Sequence, residues 1–225
     1  MADKHRKRVL LAPLSGDVLP LERVPDPVFA QKMVGDGIAV MPSGNILLAP
    51  CDGIVTQLHA ASHALTLTTA DGLQVFLHIG INTVALGGRG FAAKISPGDA
   101  VRTGDALIAF DLPYLERSVP STASMMVIAN GEMVERFLPA SGTVEAGISP
   151  ALELLVRQAP ENAPRDAARG GFQRRLLPDG GAQSPPIPIH NPCGLHARPA
   201  AVLAHHARQF ASEISVFKEG DASGR

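Results

Sequence analysis

The stretch ALTLTTADGLQVFLHIG occupies residues 64–80 and combines two short apolar runs with an Asp-Gly pair between them. Leu, Val, Ile, Phe and Thr are residue types enriched in strands, and Asp-Gly between two such runs favours a two-residue type I′ turn. The stretch therefore predicts an antiparallel hairpin, with Asp71 and Gly72 as its turn residues.

The hairpin brings His63, just before the first strand, near His78 at the end of the second. With Asp71 and Gly72 in the turn, His78 faces Leu65 and His63 faces Gly80. The histidines are then diagonal neighbours on one sheet face, about 7 Å apart. If the turn is centred one residue earlier, His63 and His78 lie directly opposite each other. The intermediate register, in which His78 pairs with Ala64, would place the two histidines on opposite faces of the sheet.

The pattern of short strands continues from residue 9 to about residue 156. Turn residues recur every eight to twelve positions, which is typical of a β-sandwich or barrel. One short helical segment is predicted in DPVFAQKMVG. We therefore predict a mainly β, antiparallel domain over residues 1–157. The apolar runs are VLLAPLSGDVLPL, GIAVMPSGNILLAP, GIVTQL, ALTLTT, LQVFLHIGI, ALIAFDL and MMVIANG.

The composition changes after this domain. Residues 158–185 are rich in Pro, Gly, Ala, Arg and Asp and lack apolar periodicity, which predicts a flexible linker. Residues 186–225 follow a strand, helix, strand order, too little to close a core. We therefore expect the first half of an α+β domain there, either as a fragment of a longer product or as a truncated gene.

Composition excludes several classes of function. The net charge is −1, with eight Phe, one Tyr and no Trp, so neither a nucleic-acid surface nor a stacking platform is expected. No apolar run approaches the length of a transmembrane helix. The two cysteines, Cys51 and Cys193, have no metal-type or disulfide spacing, which favours reducing cytoplasm.

The predicted pair of His63 and His78 suits three kinds of chemistry: metal binding, general base catalysis, or phosphoryl transfer. A metal needs third and fourth ligands, which the pair itself does not supply. A phosphoryl carrier needs a neutral imidazole, which a pKa near 6.5 permits, and apolar surroundings that exclude water. Residue spacing alone leaves a functional and a structural pair about equally supported.

A second histidine site is predicted in PCGLHARPAA, residues 192–201. His196 precedes a predicted helix with Pro199 in its first turn, where free N–H groups and the helix dipole favour an anion. Arg198 can form two charge-assisted hydrogen bonds with a phosphoryl group. Both residues are therefore candidates for phosphate chemistry.

The segment GLHARPA resembles the active-site segment of HPr, the histidine phosphocarrier of the bacterial sugar phosphotransferase system. Residues 9–156 resemble its glucose-type enzyme IIA through APLSGDVLPLERVPDPVFAQKMVGDGIAV, PSGNILLAPCDGIV, SHALTL, FLHIGINTV and FDLP. These resemblances imply phosphorylation of His78 and His196, with His63 and Arg198 assisting. Phe29 and Phe76 would lie in an apolar docking rim. Ala61 stands where the family often has Thr, and Asn82 where it often has Asp.

The resemblance implies a cytoplasmic phosphotransferase component that needs no cofactor of its own. Phosphoenolpyruvate would be the ultimate donor, through enzyme I. Phosphate would pass from His196 to His78 and on to a cysteine of a IIB domain, which feeds a glucose or N-acetylglucosamine permease (IIC) and provides the protein's only link to the membrane. The alternatives are a regulatory binding protein switched by phosphorylation and a zinc hydrolase using His63 and His78.

Overall fold

The computed structural model describes residues 5–157, which form an antiparallel β-structure with two short helices. The helices are α1 (Pro27–Ala30) and α2 (Leu112–Ser118). The strands are β1 (His5–Leu11), β2 (Gly16–Pro20), β3 (Asp36–Pro42), β4 (Ile46–Leu48), β5 (Gly53–Leu58), β6 (Ala64–Thr68), β7 (Gln74–His78), β8 (Phe91–Ala93), β9 (Ala100–Val101), β10 (Ala106–Phe110), β11 (Ser124–Ile128), β12 (Val134–Pro139), β13 (Thr143–Val144) and β14 (Pro150–Arg157). This confirms the predicted mainly β class for this part of the chain. Neither helix in residues 5–157 is long and apolar enough to cross a bilayer.

The strands of residues 5–157 form three sheets. The largest has the order β13-β2-β3-β11-β7-β6-β5-β9, and two three-stranded sheets have the orders β4-β10-β8 and β1-β14-β12. Strand β7 lies inside the large sheet, paired with β11 on one side and β6 on the other. Its backbone is therefore held along both edges, up to and including His78.

Alternation along β7 divides its side chains between two environments. Val75, Leu77 and Ile79, which follows the strand, belong to the main apolar core, whereas Phe76 and His78 are buried outside it. Successive side chains of a strand point to opposite faces, so Phe76 and His78 share the face turned away from that core. The buried side chains outside the main core include Leu21, Val24, Val28, Phe29, Ala39, Ala64, Met125 and Val127.

The β6–β7 hairpin exists, but its predicted turn and register are wrong. The pairs run from Thr68 with Gln74 to Ala64 with His78, the intermediate register named above. The Gly72 N–H donates to the Thr69 carbonyl oxygen (2.9 Å), and Gly72 has φ 86° whereas Asp71 has no positive φ. The loop therefore has three residues rather than two. Only Gly72 among them has a left-handed conformation, whereas a type I′ turn requires two such residues.

Hydrogen bonds within this loop explain why the three-residue form is stable. The Thr69 hydroxyl donates to Asp71 Oδ1 (2.5 Å) and accepts from the Leu73 N–H (3.0 Å). The Arg8 guanidinium of β1 donates to Asp71 Oδ2 from Nε (3.0 Å) and Nη2 (2.6 Å). Asp71 is thus engaged by two partners in the position it occupies.

Helix α2 is not predicted by the sequence pattern. The run ALIAFDL predicts one strand, but β10 ends at Phe110 and the Asp111 carboxylate accepts from the Tyr114 N–H (3.0 Å). Asp is a preferred N-cap residue and Pro is favoured in the first helical turn. Asp111 and Pro113 were therefore available as a helix start signal. The short segment predicted in DPVFAQKMVG is present as α1.

Cys51 is an unreactive, half-buried thiol. Burial is the main cause that raises the pKa of this thiol to about 12. The charge of Arg8 lowers the pKa, whereas Asp52 and Asp71 raise it further. The thiolate is the reactive form of cysteine, so Cys51 is not a nucleophile at neutral pH.

The contribution of Asp71 to stability is expected to depend on pH. Burial alone would raise the pKa of Asp71, but the hydrogen bonds from Thr69 and Arg8 and the Arg8 charge lower it below its usual value. A carboxyl group with a lowered folded-state pKa stabilises the fold above its unfolded pKa and loses that effect as the pH falls. The unfolding free energies of the wild type and D71N should therefore differ at pH 7 and converge below about pH 4.

Urea unfolding at several pH values, followed by far-ultraviolet circular dichroism, measures this difference. E116Q, at an exposed position on α2, is the matched control and should show no such convergence. A difference between D71N and the wild type that is constant from pH 7 to pH 3 would contradict the assigned role of the Asp71 charge.

Candidate histidine phosphotransfer site

The candidate site is a group of aromatic rings around His78. The rings of His63 and His78 lie with their centroids 5.0 Å apart and their planes at 82°, an edge-to-face arrangement. The Phe29 ring is 5.3 Å from the His78 ring and the Phe76 ring is 6.0 Å away. The structure therefore brings together all four residues predicted for this domain.

The position of His78 follows from its neighbours in the sheet. Ala64 of β6 and Met125 of β11 are its cross-strand partners. After His78 the chain leaves the sheet: the Gly80 N–H donates to the Ser124 hydroxyl (3.2 Å), and the Thr83 hydroxyl donates to the Ile79 carbonyl oxygen (2.7 Å). His78 therefore lies on a rigid strand next to a turn that is held in place.

His63 reaches His78 by a route that the strand register did not predict. In the observed register, a continued strand would direct His63 to the face opposite His78. His63 instead lies in a bend before β6, after Ser62, whose φ is 51°, and its carbonyl oxygen accepts from the Ile79 N–H (2.8 Å). The predicted proximity is present, but the loop produces it.

Burial of the two imidazoles differs slightly. His78 is 9% exposed and His63 is 4% exposed. Both residues are therefore largely buried, and His78 is the more exposed of the two. This difference suits chemistry in which a partner reaches His78 while the neighbouring His63 assists.

Phe29 and Phe76 form apolar walls of the site. Each is 4% exposed, so any contact with a partner would use only a small part of either ring. Their docking role stays a prediction. Their contact with His78 places hydrocarbon beside its imidazole, which limits access of water to the ring.

Helix α1 holds Phe29 against His78. Asp26 is buried and caps the helix, with Oδ1 accepting from the Val28 N–H (3.0 Å), and Pro27 occupies the first helical position. Asp is a preferred N-cap residue, and Pro fits this position because it has no N–H to leave unsatisfied. Asp26 therefore stabilises the short helix that supplies one wall.

His59 is a member of the ring group that the sequence analysis missed. Its ring is 5.4 Å from the His63 ring and 6.1 Å from the Phe76 ring. His59 is the first residue of the turn that ends at Ser62, with the Ser62 N–H donating to the His59 carbonyl oxygen (2.7 Å). The available signal was the spacing of His59 and His63, which lie four residues apart with two alanines and a serine between them.

The zinc alternative gains no support from the described part of the chain. Within residues 5–157, no group of three or more His, Cys, Asp or Glu side chains is placed to hold a metal ion. The predicted second site, His196 and Arg198, lies outside the described residues.

The fold and site define an all-β domain with a histidine pair at the end of a central strand, and comparisons with known proteins identify its family. The model of the family described as phosphoenolpyruvate-dependent sugar phosphotransferase system, EIIA 1, matches residues 8–134. The model described as PTS HPr component phosphorylation site matches residues 184–225. The chain therefore belongs to the EIIA 1 family and joins its domain to an HPr segment.

Relatives and a solved structure agree with this assignment. The chain is 41% identical over 142 residues to the PTS system glucose-specific EIIA component of Buchnera aphidicola, an alignment covering 63% of this chain and 88% of that protein. For the protein of that name from Borreliella burgdorferi, identity is 43% over 136 residues, with 60% and 72% covered. The glucose permease IIA from Mycoplasma capricolum matches with TM-score 0.61 and 33% identity, covering 65% of this chain and 96% of that one.

These matches define the class of activity. EIIA and HPr domains are phosphotransferase components that carry phosphate on histidine, and this chain combines the two. The EIIA part is of the glucose type, as predicted from the sequence.

The cap at Asp26 should control the position of Phe29. D26A should lower the free energy of unfolding by about 1 kcal/mol because the Val28 N–H loses its acceptor. D26N is the matched control and should retain most of the stability, because Asn is an equally good N-cap. Urea unfolding measures both.

The imidazole proton resonances of His78 report on Phe29, since the rings are 5.3 Å apart. They should shift in D26A and remain near their wild-type values in D26N. Unchanged His78 resonances in a destabilised D26A variant would show that α1 does not position Phe29.

Proposed function

We propose that His78 is the phosphoryl-accepting residue of the EIIA domain and that phosphate reaches it from His196 or from a separate HPr. The observation that carries this proposal is the pair of buried histidines at the end of β7, with ring centroids 5.0 Å apart, of which His78 is the more exposed. Membership of the EIIA 1 family supports phosphohistidine chemistry at this domain.

The transfer needs only the side chains of the two carriers. A ring nitrogen of neutral His78 attacks the phosphorus atom of the donor phosphohistidine, and a new N–P bond forms as the donor N–P bond breaks. The electron pair of the broken bond returns to the donor imidazole, which takes up the proton that the His78 ring gives up. Neutral imidazole is available near neutral pH because the ordinary pKa of histidine is near 6.5.

The surroundings of His78 suit a phosphoryl group that must resist hydrolysis until the next partner protein accepts it. Phe29 and Phe76 flank the ring and keep water from it, so hydrolysis competes poorly with transfer. His63, as the edge-to-face neighbour, stabilises the charge of the transferring oxygens. Because the β7 backbone is paired on both sides, this geometry costs little reorganisation at each transfer.

The proposed relay begins with phosphoenolpyruvate and enzyme I, which phosphorylate His196, with Arg198 balancing the charge. His78 then passes the phosphate to a cysteine of a IIB domain that serves a glucose or N-acetylglucosamine permease. The linker between the two sites raises their local concentration, to about millimolar if they can meet. In this relay the chain itself requires no bound cofactor.

Substitution of His78 tests the assignment of the acceptor. The full chain is incubated with enzyme I, HPr and phosphoenolpyruvate, and phosphopeptides are mapped by mass spectrometry under alkaline conditions. H78A should carry no phosphate within residues 8–134, whereas H196A should still accept phosphate at His78 from the added HPr. H190A, at a histidine outside both proposed sites, is the control. Phosphate within residues 8–134 of H78A would refute the assignment.

Substitution of His63 tests its supporting role. H63A should lower the rate of transfer from phosphorylated HPr by about 100-fold, the cost of losing one group that stabilises developing charge. The final amount of phosphate per chain should be unchanged, because His78 is intact. H63Q, whose amide can donate a hydrogen bond, should be intermediate. Rapid-quench measurements give these rates, and a wild-type rate in H63A would exclude His63 from the transfer.

A further inference from the structure

His59 contributes a third imidazole at the edge of the site. It directly follows β5 and is half-buried, with its ring against both His63 and Phe76. The contact with His63 is a tilted one, with ring centroids 5.4 Å apart and planes at 57°. His59, His63 and His78 therefore form a continuous series of ring contacts from the half-exposed turn to the buried pair.

The backbone fixes where the His59 ring can lie. The His59 N–H donates to the Ala64 carbonyl oxygen (2.9 Å), and the His59 carbonyl oxygen accepts from the Ser62 N–H (2.7 Å). Both backbone groups of His59 are thus engaged within the β5–β6 loop. These bonds fix the backbone of His59, and its ring contacts the His63 ring from that position.

Other side chains of the turn cannot hold the His63 ring in the same way. Ala60 and Ala61 carry only methyl groups, and Ser62 adopts a left-handed conformation with φ 51°. An aromatic ring can restrict rotation of its neighbour through packing, whereas a methyl group offers little contact area. His59 is therefore the side chain of this turn that is suited to restrain His63.

His63 lies just outside a strand, so contacts of its side chain set the direction of its ring. Its neighbour Ala64 is the first residue of β6, so the alternation of the sheet does not set the direction of the His63 side chain. Rotation of the imidazole away from His78 would remove its support for the phosphoryl group. A displacement of about 1 Å in a catalytic group can reduce rates up to about 100-fold.

We infer that His59 is a positioning residue for His63: its ring packs against the His63 imidazole and holds it edge-to-face with His78. This inference rests on the proposed function of the His63–His78 pair and adds the residue that sets the pair's geometry. His59 acts through His63 and does not touch the transferred group.

Two substitutions separate ring packing from other contributions. H59A removes the contact and should lower the maximal rate of phosphoryl transfer to His78 about tenfold, with little change in the KM for phosphorylated HPr. H59F keeps a ring in the same place and should restore most of the wild-type rate. Q57A, at an exposed position two residues earlier in β5, is the matched control and should retain the wild-type rate.

Nuclear magnetic resonance of the full chain gives a second readout. The ring ¹⁵N and ¹H resonances of His63 should shift in H59A and return towards wild-type values in H59F. The inference holds if H59A lowers the rate and shifts these resonances while H59F restores both. Any other combination overturns it, including equal loss in H59A and H59F or an unchanged His63 spectrum in H59A.

The two proposals can fail separately. Phosphorylation of the wild-type chain at a residue other than His78 would refute the proposed acceptor, whatever the His59 variants do. The His63 resonances do not require phosphate, so they test the positioning by His59 even in that case.

Discussion

Pairing of β7 on both sides is the constraint on which the site depends. Because β6 and β11 hold both edges of the strand, its side chains must alternate between two fixed environments. Val75, Leu77 and Ile79 complete the main apolar core, and the same alternation directs Phe76 and His78 to the other face. The strand that stabilises the domain is thus also the strand that positions the His78 imidazole, so a change in the pairing of β7 would disturb both the core and the site.

The site on the face that carries His78 is completed differently, by short segments that supply the other rings. Helix α1 supplies Phe29 through a capped start at Asp26, and the β5–β6 loop supplies His63 and His59. Each segment is short, so its position depends on a few hydrogen bonds rather than on a long ladder. An imidazole pair assembled in this way combines a ring on a rigid strand, that of His78, with a ring whose orientation depends on loop residues. This division suits a carrier that must react with one protein and then with another.

Much of the domain could be predicted because its signals are local. Apolar alternation and turn residues located β5, β6, β7, β10 and β11, and Asp-Gly correctly marked a hairpin. The turn type could not be read from Asp-Gly alone, because the hydrogen bonds of Thr69 and the contact of Asp71 with Arg8 favour a three-residue loop. Arg8 is 63 residues away in the chain, so this stabilisation is a property of the tertiary fold.

By itself, the sequence determined the fold class and the family, and it indicated that His63, His78, Phe29 and Phe76 belong to one candidate site. These conclusions depend on residue types and their order in the chain. Only the tertiary structure decided how the group is assembled. The observed register would separate the two histidines if His63 lay in a strand, and they meet because Ser62 turns the chain before β6 begins. The structure also brought His59 into the group. Side-chain direction in a loop follows from backbone angles and packing against other segments, for which the local sequence carries no periodic signal.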